Sequence, residues 1–374
     1  MSSLTLSLPH RPGNPRNSEG AFLDLADGGI LFAYTRFTGS SWGDHASAVI
    51  AARISRDGGR TWSRRDRTIV QAEGRCNVMS VSLLRMNDGA IGLFTIRKNS
   101  LNDCVPYLRR SRDEGRTWSR PVRCIPAPGY WVVNNDRVIR LQSGRLILPA
   151  ALHRSKKQSR EIDYTSFESR GLAFFFLSDD DGRTWREARD WWALPRRSGS
   201  GLQEPGAVEL PDGSLYAWCR TDIGRQWEMR SRDGGETWSR PRPSPFHSPN
   251  APLSIKRIPR LNTHLAIWND HHPDRWTAET HAESKYQPNT SWGRTPLAAA
   301  LGEPGTHQWT TPILIEDDPD RGFCYTAIHP TRDAVLLAYC CGGRGSAVLQ
   351  DLCIRRIGLG ELSQRSGYSA ENKT

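Results

Sequence analysis

Four stretches of the 374-residue chain are near-copies of one another. "SRDGGRTWS" begins at Ser55, "SRDEGRTWS" at Ser111, "SDDDGRTWR" at Ser178 and "SRDGGETWS" at Ser231. A fifth, degraded copy ends at Trp309 in "LGEPGTHQWTTP". Each copy has a mechanical reading. Its Asp can accept backbone N–H groups inside a tight turn. Its Gly can take a positive φ. Its Trp offers a large apolar face to a neighbouring sheet. Four near-identical turns cannot all line one asymmetric site, so they read as structural locks and the chemistry must lie elsewhere.

A second repeat precedes the first. Apolar strand, polar turn and apolar strand recur around Gly28, Gly89, Gly144, Gly213, Asn262 and Arg332. Each is a β-hairpin signature. Long helical stripes are missing, so the chain reads as all-β. The boxes start 56, 67 and 53 residues apart, and hairpins and boxes together predict a six-bladed β-propeller of four-stranded antiparallel blades. The last strands run through "AVLQDLCIRRI", and "SLTLSLP" near the start would supply the strand that closes the ring. The chain is expected to form a single domain with a core over about residues 14–357 and a flexible tail over 361–374.

Composition narrows the function classes. The formal charge is +11, but the arginines are scattered through turns and strands. No basic stripe with interleaved aromatics appears, so nucleic acid is not an expected partner, whereas a pocket for a small anion is consistent. The eight cysteines contain no C-x-x-C pair, which argues against zinc and for buried free thiols in a reducing compartment. No metal or cofactor is expected. No apolar run approaches the ~20 residues of a membrane helix. The opening "MSSLTLSLPHRPGN" lacks the features of a signal peptide, which suggests a cytoplasmic protein, or a secreted one if a leader was removed.

The repeat also places the chemistry. The starts of first strands and the ends of second strands lie at the face opposite the hairpin turns. Strand starts carry Arg16, Asn77, Asn134, Asn135, Asp136, Glu204 and Tyr325. Strand ends carry Arg36, Asp44, Arg97, His153, Arg220, Asn269 and Asp270, and Arg294 leads into "PLAAAL". All should converge on one mouth, and a rim of this charge density favours function over packing.

In its boxes and in these residues, from about Asn14 to Ile357, the chain resembles the sialidase (neuraminidase) superfamily. The resemblance implies three arginines that hold a substrate carboxylate, at Arg16, Arg220 and Arg294. It implies an acid/base at Asp44 with Arg36 beside it, a Tyr nucleophile at Tyr325 and an activating Glu204. The activity implied is exo-acting, retaining hydrolysis of a terminal acidic sugar, with no cofactor. A neutral Tyr avoids the repulsion that a carboxylate nucleophile would meet at an anomeric carbon bearing a carboxylate. Asn77, Asn135, Asp136 and His153 are candidates for contacts to the sugar, and Asn135 and Asp136 read equally well as a polar strand entry. The family's aromatic-Arg-Ile-Pro around the first arginine is here "NPRNSEG", and Glu19 adds a carboxylate. A hydrolase of another acidic sugar, or a non-catalytic carbohydrate- or protein-binding propeller, would share the fold. Retention of Asp44, Glu204 and Tyr325 favours the enzyme.

Overall fold

The chain is built from hairpins whose turns are set by the residues the sequence repeats. The computed structural model describes residues 2–157, 161–275, 291–306 and 308–368. The hairpins are Asn17–Asp24 with Ile30–Phe37, Asn77–Arg85 with Ile91–Ser100, Ile139–Arg140 with Leu146–His153, Gln203–Glu209 with Leu215–Arg220, Ser254–Ile258 with Thr263–Asn269, and Cys324–Pro330 with Ala334–Cys340. Third and fourth strands add outward from each hairpin, as in Asn17–Asp24, Ile30–Phe37, Ala48–Ser55 and Arg67–Val70. The last unit takes its outer strand from the other end of the chain. Ser3–Leu8 pairs antiparallel with Leu352–Gly358.

One departure from separate four-stranded units lies between the second and the third. The inner strand of the third unit is interrupted within "VVNNDRVIRL", where Asp136 adopts a left-handed conformation at φ 57°. Two short pieces remain, Gly129–Val132 and Ile139–Arg140, both paired with Leu146–His153. The freed first piece also pairs in parallel with Asp103–Ser111. The two units thereby share one nine-stranded sheet, beside four sheets of four strands.

Packing runs from each unit to the next. Leu31 and Ile50 of the first unit pack with Val81 and Leu93 of the second. Ile147 and Phe175 of the third pack with Ala217 and Met229 of the fourth. Leu336 and Ile354 of the sixth pack with Phe22 and Phe32 of the first. The boxes hold these contacts in place. In the first box, Asp57 Oδ1 accepts the N–H groups of Arg60 and Thr61 at 3.0 and 2.8 Å, and its Oδ2 accepts the Thr61 hydroxyl at 2.6 Å. Asp113, Asp180 and Asp233 make the same bond to the Thr four residues on. The box glycine rests on the preceding unit. A Cβ on Gly235, at φ 88°, would meet Ile147 at 2.9 Å. Trp238 stacks on Phe175 of the third unit with centroids 3.8 Å apart. The degraded fifth copy works alike, with Trp309 edge-on to Phe246 of the fourth unit at 5.0 Å.

The flexible tail expected over 361–374 is corrected in part. Residues Leu359–Ser366 form a helix that buries Leu359 and Leu362 against the fifth and sixth units, and Tyr368 donates to the Leu261 carbonyl at 2.9 Å. Residues 369–374 lie outside the described residues. No helix among the described residues is long and apolar enough to cross a membrane. The cysteines are free thiols, all buried except the partly exposed Cys76.

Trp238 is 3% exposed and sits between two units. Trp238→Ala is expected to lower the unfolding free energy by about 3–5 kcal/mol in chemical denaturation. Ligand binding by the surviving folded fraction should be unchanged. Native stability in the variant would contradict the locking role.

Candidate functional site

Four innermost strands carry the same irregularity. The register of the first hairpin slips between Ser18 and Ala21, of the second between Met79 and Ser82, of the fourth between Gln203 and Gly206, and of the sixth between Cys324 and Ala327. At each slip one residue takes a left-handed conformation: Glu19 at φ 53°, Ser80 at 59°, Glu204 at 50° and Tyr325 at 57°. Such a bulge turns a side chain out of the alternation of the strand. For residues other than glycine it costs about 1–3 kcal/mol each. All four turn toward one pocket of about 320 Å³, the size of a site for one small ligand.

The same pocket collects Arg16, Arg220, Arg294, Asp44 and His153. Tyr325 donates its hydroxyl to Glu204 Oε1 at 2.9 Å. Arg220 reaches both, with Nη1 2.8 Å from Glu204 Oε1 and 3.3 Å from Tyr325 Oη. Asn250 fixes the other edge of Arg220, accepting from Nε at 2.6 Å. Arg294 donates to Cys324 Sγ at 2.9 Å and lies over the Tyr325 ring at 5.2 Å. Arg16, 1% exposed, donates to Ser18 at 2.9 Å, Glu19 at 2.9 Å and Asp44 at 2.6 Å. Glu19 in turn accepts the Ser80 hydroxyl.

These contacts set the protonation states. Burial, and then the neighbouring Glu204, push the Tyr325 phenol well above its ordinary value, so it stays neutral. Burial also pushes Glu204 upward, but Arg220 and Arg294 outweigh it and hold the carboxylate below its ordinary value. Its Oε2 is buried without a hydrogen-bond partner, which leaves an acceptor beside the phenol. Asp44 lies across the pocket on the loop after the first hairpin, with 55% of its side chain exposed. Desolvation by the walls raises its pKa, yet Arg16 and Lys98 prevail and hold it well below the carboxylate range. Burial lowers the His153 pKa.

Seven of the residues expected at the mouth do not line the pocket and are corrected. Arg36 turns away from the pocket to pair with Asp66 at 3.2 Å. Asn77 holds the acid's loop instead of a ligand, donating to the carbonyls of Asp44 and Ala46 at 2.9 and 2.8 Å. Asn135 lies beneath the site and donates to the carbonyls of Gly20 and Tyr325 at 2.9 and 3.0 Å. Asp136 is spent on Lys256, 2.6 Å away, and on the Ile328 N–H. Asn134 does line the pocket. Arg97 stacks over Tyr107, Asn269 bonds the Pro296 and Phe323 carbonyls, and Asp270 pairs with Arg275.

Sequence reasoning missed Lys98, Ser80, His45, Tyr130, Tyr164 and Trp292, which line the same pocket. Lys98 is buried, and its ammonium donates to the Asp44 carbonyl at 3.1 Å. Alternation was the available signal, because Arg97 and Lys98 must face opposite ways in one strand. His45 bonds the Tyr164 hydroxyl at 2.6 Å, joining the acid's loop to the loop after the third unit's hairpin. Burial, with Lys98 nearby, takes the His45 pKa down to about 4. Among the described residues, no three His, Cys, Asp or Glu side chains gather as metal ligands would.

The family model described as "BNR repeat-like domain" matches residues 33–337. The chain is 27% identical over 232 residues to the anhydrosialidase of the leech Macrobdella decora, covering 57% of this chain and 27% of that protein. A protein of unknown function from Dyadobacter fermentans superimposes with a TM-score of 0.70 at 18% identity, covering 95% of this chain and 99% of that one. The sialidase of Trypanosoma rangeli, in a covalent complex with 2,3-difluorosialic acid, superimposes at 0.66 with 15% identity, covering 98% of this chain and 61% of that one.

Because the folded-state pKa of Glu204 is depressed, its ion pair stabilises the protein above the ordinary carboxylate pKa. That stability is lost as pH falls through the folded value. Glu204→Gln should be less stable than the parent by about 3 kcal/mol at neutral pH. The gap should narrow on acidification, as followed by urea denaturation between about pH 3 and 6. A gap independent of pH would contradict an ionised Glu204.

Proposed function

From a chain that belongs to the BNR repeat-like family of the sialidase superfamily, we propose an exo-acting, retaining glycosidase that cleaves a terminal acidic sugar, sialic acid or a related nonulosonic acid. The observation that carries this reading is the Tyr325–Glu204 hydrogen bond of 2.9 Å, bridged by Arg220 and facing Asp44 across one pocket. Tyr325 Oη attacks the anomeric carbon and its proton passes to Glu204 Oε1. Asp44 gives a proton to the departing glycosidic oxygen and then takes one from the water that releases the sugar from Tyr325. Two displacements at one carbon restore the starting configuration. Arg220 and Arg294, with Arg16, supply planar forks for the carboxylate on that carbon. Arg220 lies against both the nucleophile and its base, so it also offsets negative charge as the phenol proton leaves.

The framework under this site is, in the same proposal, a six-bladed propeller. Two observations support it: the strand Ser3–Leu8 completing the last unit, and the apolar cluster of Leu8, Phe22, Leu336 and Ile354 between last and first units. A ring would give four bulges a common axis to face.

A 3-fluoro acidic-sugar glycoside with a good leaving group should label the parent, and peptide mapping should place the sugar on Tyr325. Tyr325→Phe keeps the ring and its packing, so the fold should survive. It should lose that label, and hydrolysis should fall by about three orders of magnitude or more. An adduct on another residue, or a Phe variant as active as the parent, would refute the Tyr nucleophile.

A further inference from the structure

We propose that Asp44 occupies the seat of the substrate's carboxylate on Arg16, so that binding an acidic sugar displaces Asp44 and readies it as the general acid. A guanidinium has five N–H groups. In the protein alone Arg16 directs Nε to Ser18, Nη2 to Glu19, and Nη1 to Asp44 and the Trp42 carbonyl at 3.3 Å. Four of the five N–H groups are therefore committed to protein acceptors, both of those on Nη1 among them. Arg16 cannot come forward to meet a ligand, since it is fully buried with its guanidinium over the Phe37 ring at 4.5 Å. A carboxylate that engages both terminal nitrogens must therefore take a place on Nη1 that an acceptor gives up.

The partners differ in how readily they can leave. Ser18 and Glu19 belong to the innermost strand, and Glu19 is buried, held in its bulge and bonded by Ser80. Asp44 sits on a loop, and more than half of its side chain meets solvent. Its main chain stays tethered by Asn77 and Lys98 while its carboxylate is free to swing. Of the two carboxylates on Arg16, Asp44 is the exchangeable one.

Exchange changes the charge that Asp44 feels. The groups facing it are Arg16, Lys98, His45 on its own loop, Tyr130 and Tyr164 from the third unit, and Glu19. Once a ligand carboxylate takes Arg16, Asp44 loses its nearest cation and gains an anion beside it. Both changes favour protonation. The proton comes from solvent and is later passed to the glycosidic oxygen, so no other reactant is needed. An acid held ionised beside Arg16 becomes competent when an anionic ligand arrives.

This inference rests on the acidic-sugar reading above, and calorimetry with free sialic acid separates the two. Titrations near about pH 6 in two buffers of different ionisation heat count the protons taken up on binding. The parent should bind with proton uptake. Asp44→Asn, a change on an exposed loop, should remove that uptake and bind about tenfold tighter, because the resident competitor no longer holds Arg16. Asp44→Ala should behave the same way. A merely structural or proton-donating Asp44 would not tighten binding when removed. Parent binding with unchanged or weaker affinity in both variants, or uptake that persists without Asp44, would overturn the exchange and leave the acidic-sugar reading standing. Failure of parent and variants alike to bind sialic acid or a related acidic sugar would overturn both.

Discussion

The Asp box fastens a turn of one unit to the strands of the unit before it, and the rest of the molecule depends on that contact. The carboxylate of Asp57, Asp113, Asp180 or Asp233 closes the turn on its own backbone. The closed turn then offers a glycine flat enough, and a tryptophan large enough, to meet the neighbour. Gly59 shows how tight the approach is, since a Cβ there would lie 2.6 Å from Leu336 of the last unit. Six hairpins of similar shape have no intrinsic reason to settle at one mutual angle. Where the lock recurs it gives neighbouring units a like contact, and the four bulged residues line one pocket.

That rigidity is what allows the centre to be irregular. Glu19, Ser80, Glu204 and Tyr325 each occupy a left-handed conformation that an isolated strand would avoid. The penalty is met by surrounding sheets that leave the strand no better alternative. In return, a strand whose side chains alternate between two sheet faces presents a third direction, into the pocket. Locks and bulges lie at opposite ends of the strands. Ser55 ends the strand Ala48–Ser55, whose other end follows the Asp44 loop about 25 Å away. None of the residues lining the pocket comes from a box.

Much of this was legible because it repeats. Box turns, hairpin positions and the strand near Ser3 are local patterns, and period-two alternation fixes where each strand begins and ends. Arg16, Glu204, Arg220, Arg294, Tyr325, Asp44 and His153 were reachable by strand-end placement combined with family resemblance. What failed was direction. Arg36 and Asn77 sit at strand ends as expected, yet one points toward Asp66 and the other toward the Asp44 loop, and strand position does not distinguish the two sides of a strand. Asn135 and Asp136 failed because the third unit breaks its inner strand, turning polar residues into pins beneath the site. The bulges were invisible, since Glu, Ser and Tyr carry no glycine-like mark of a positive φ. Lys98 was hidden by Arg97 beside it.

The charge balance at the centre links these parts. Four cations line the pocket, Arg16, Lys98, Arg220 and Arg294, against three carboxylates, Glu19, Asp44 and Glu204. With the three carboxylates ionised, the walls carry one net positive charge in a confined space, where charge interactions exceed those in water. A monoanion restores neutrality, whereas a neutral sugar does not. Burial pushes the Glu19 carboxyl above its ordinary value against the pull of Arg16, and when ionised it weakens that preference. Without it the walls would carry two net charges, and Arg16 would bind Asp44 or an anion more tightly. With it, Arg16 keeps a buried acceptor beside the exposed Asp44. In the proposed exchange, the acceptor that stays on Arg16 is Glu19, held in a bulge three residues along the chain from the arginine.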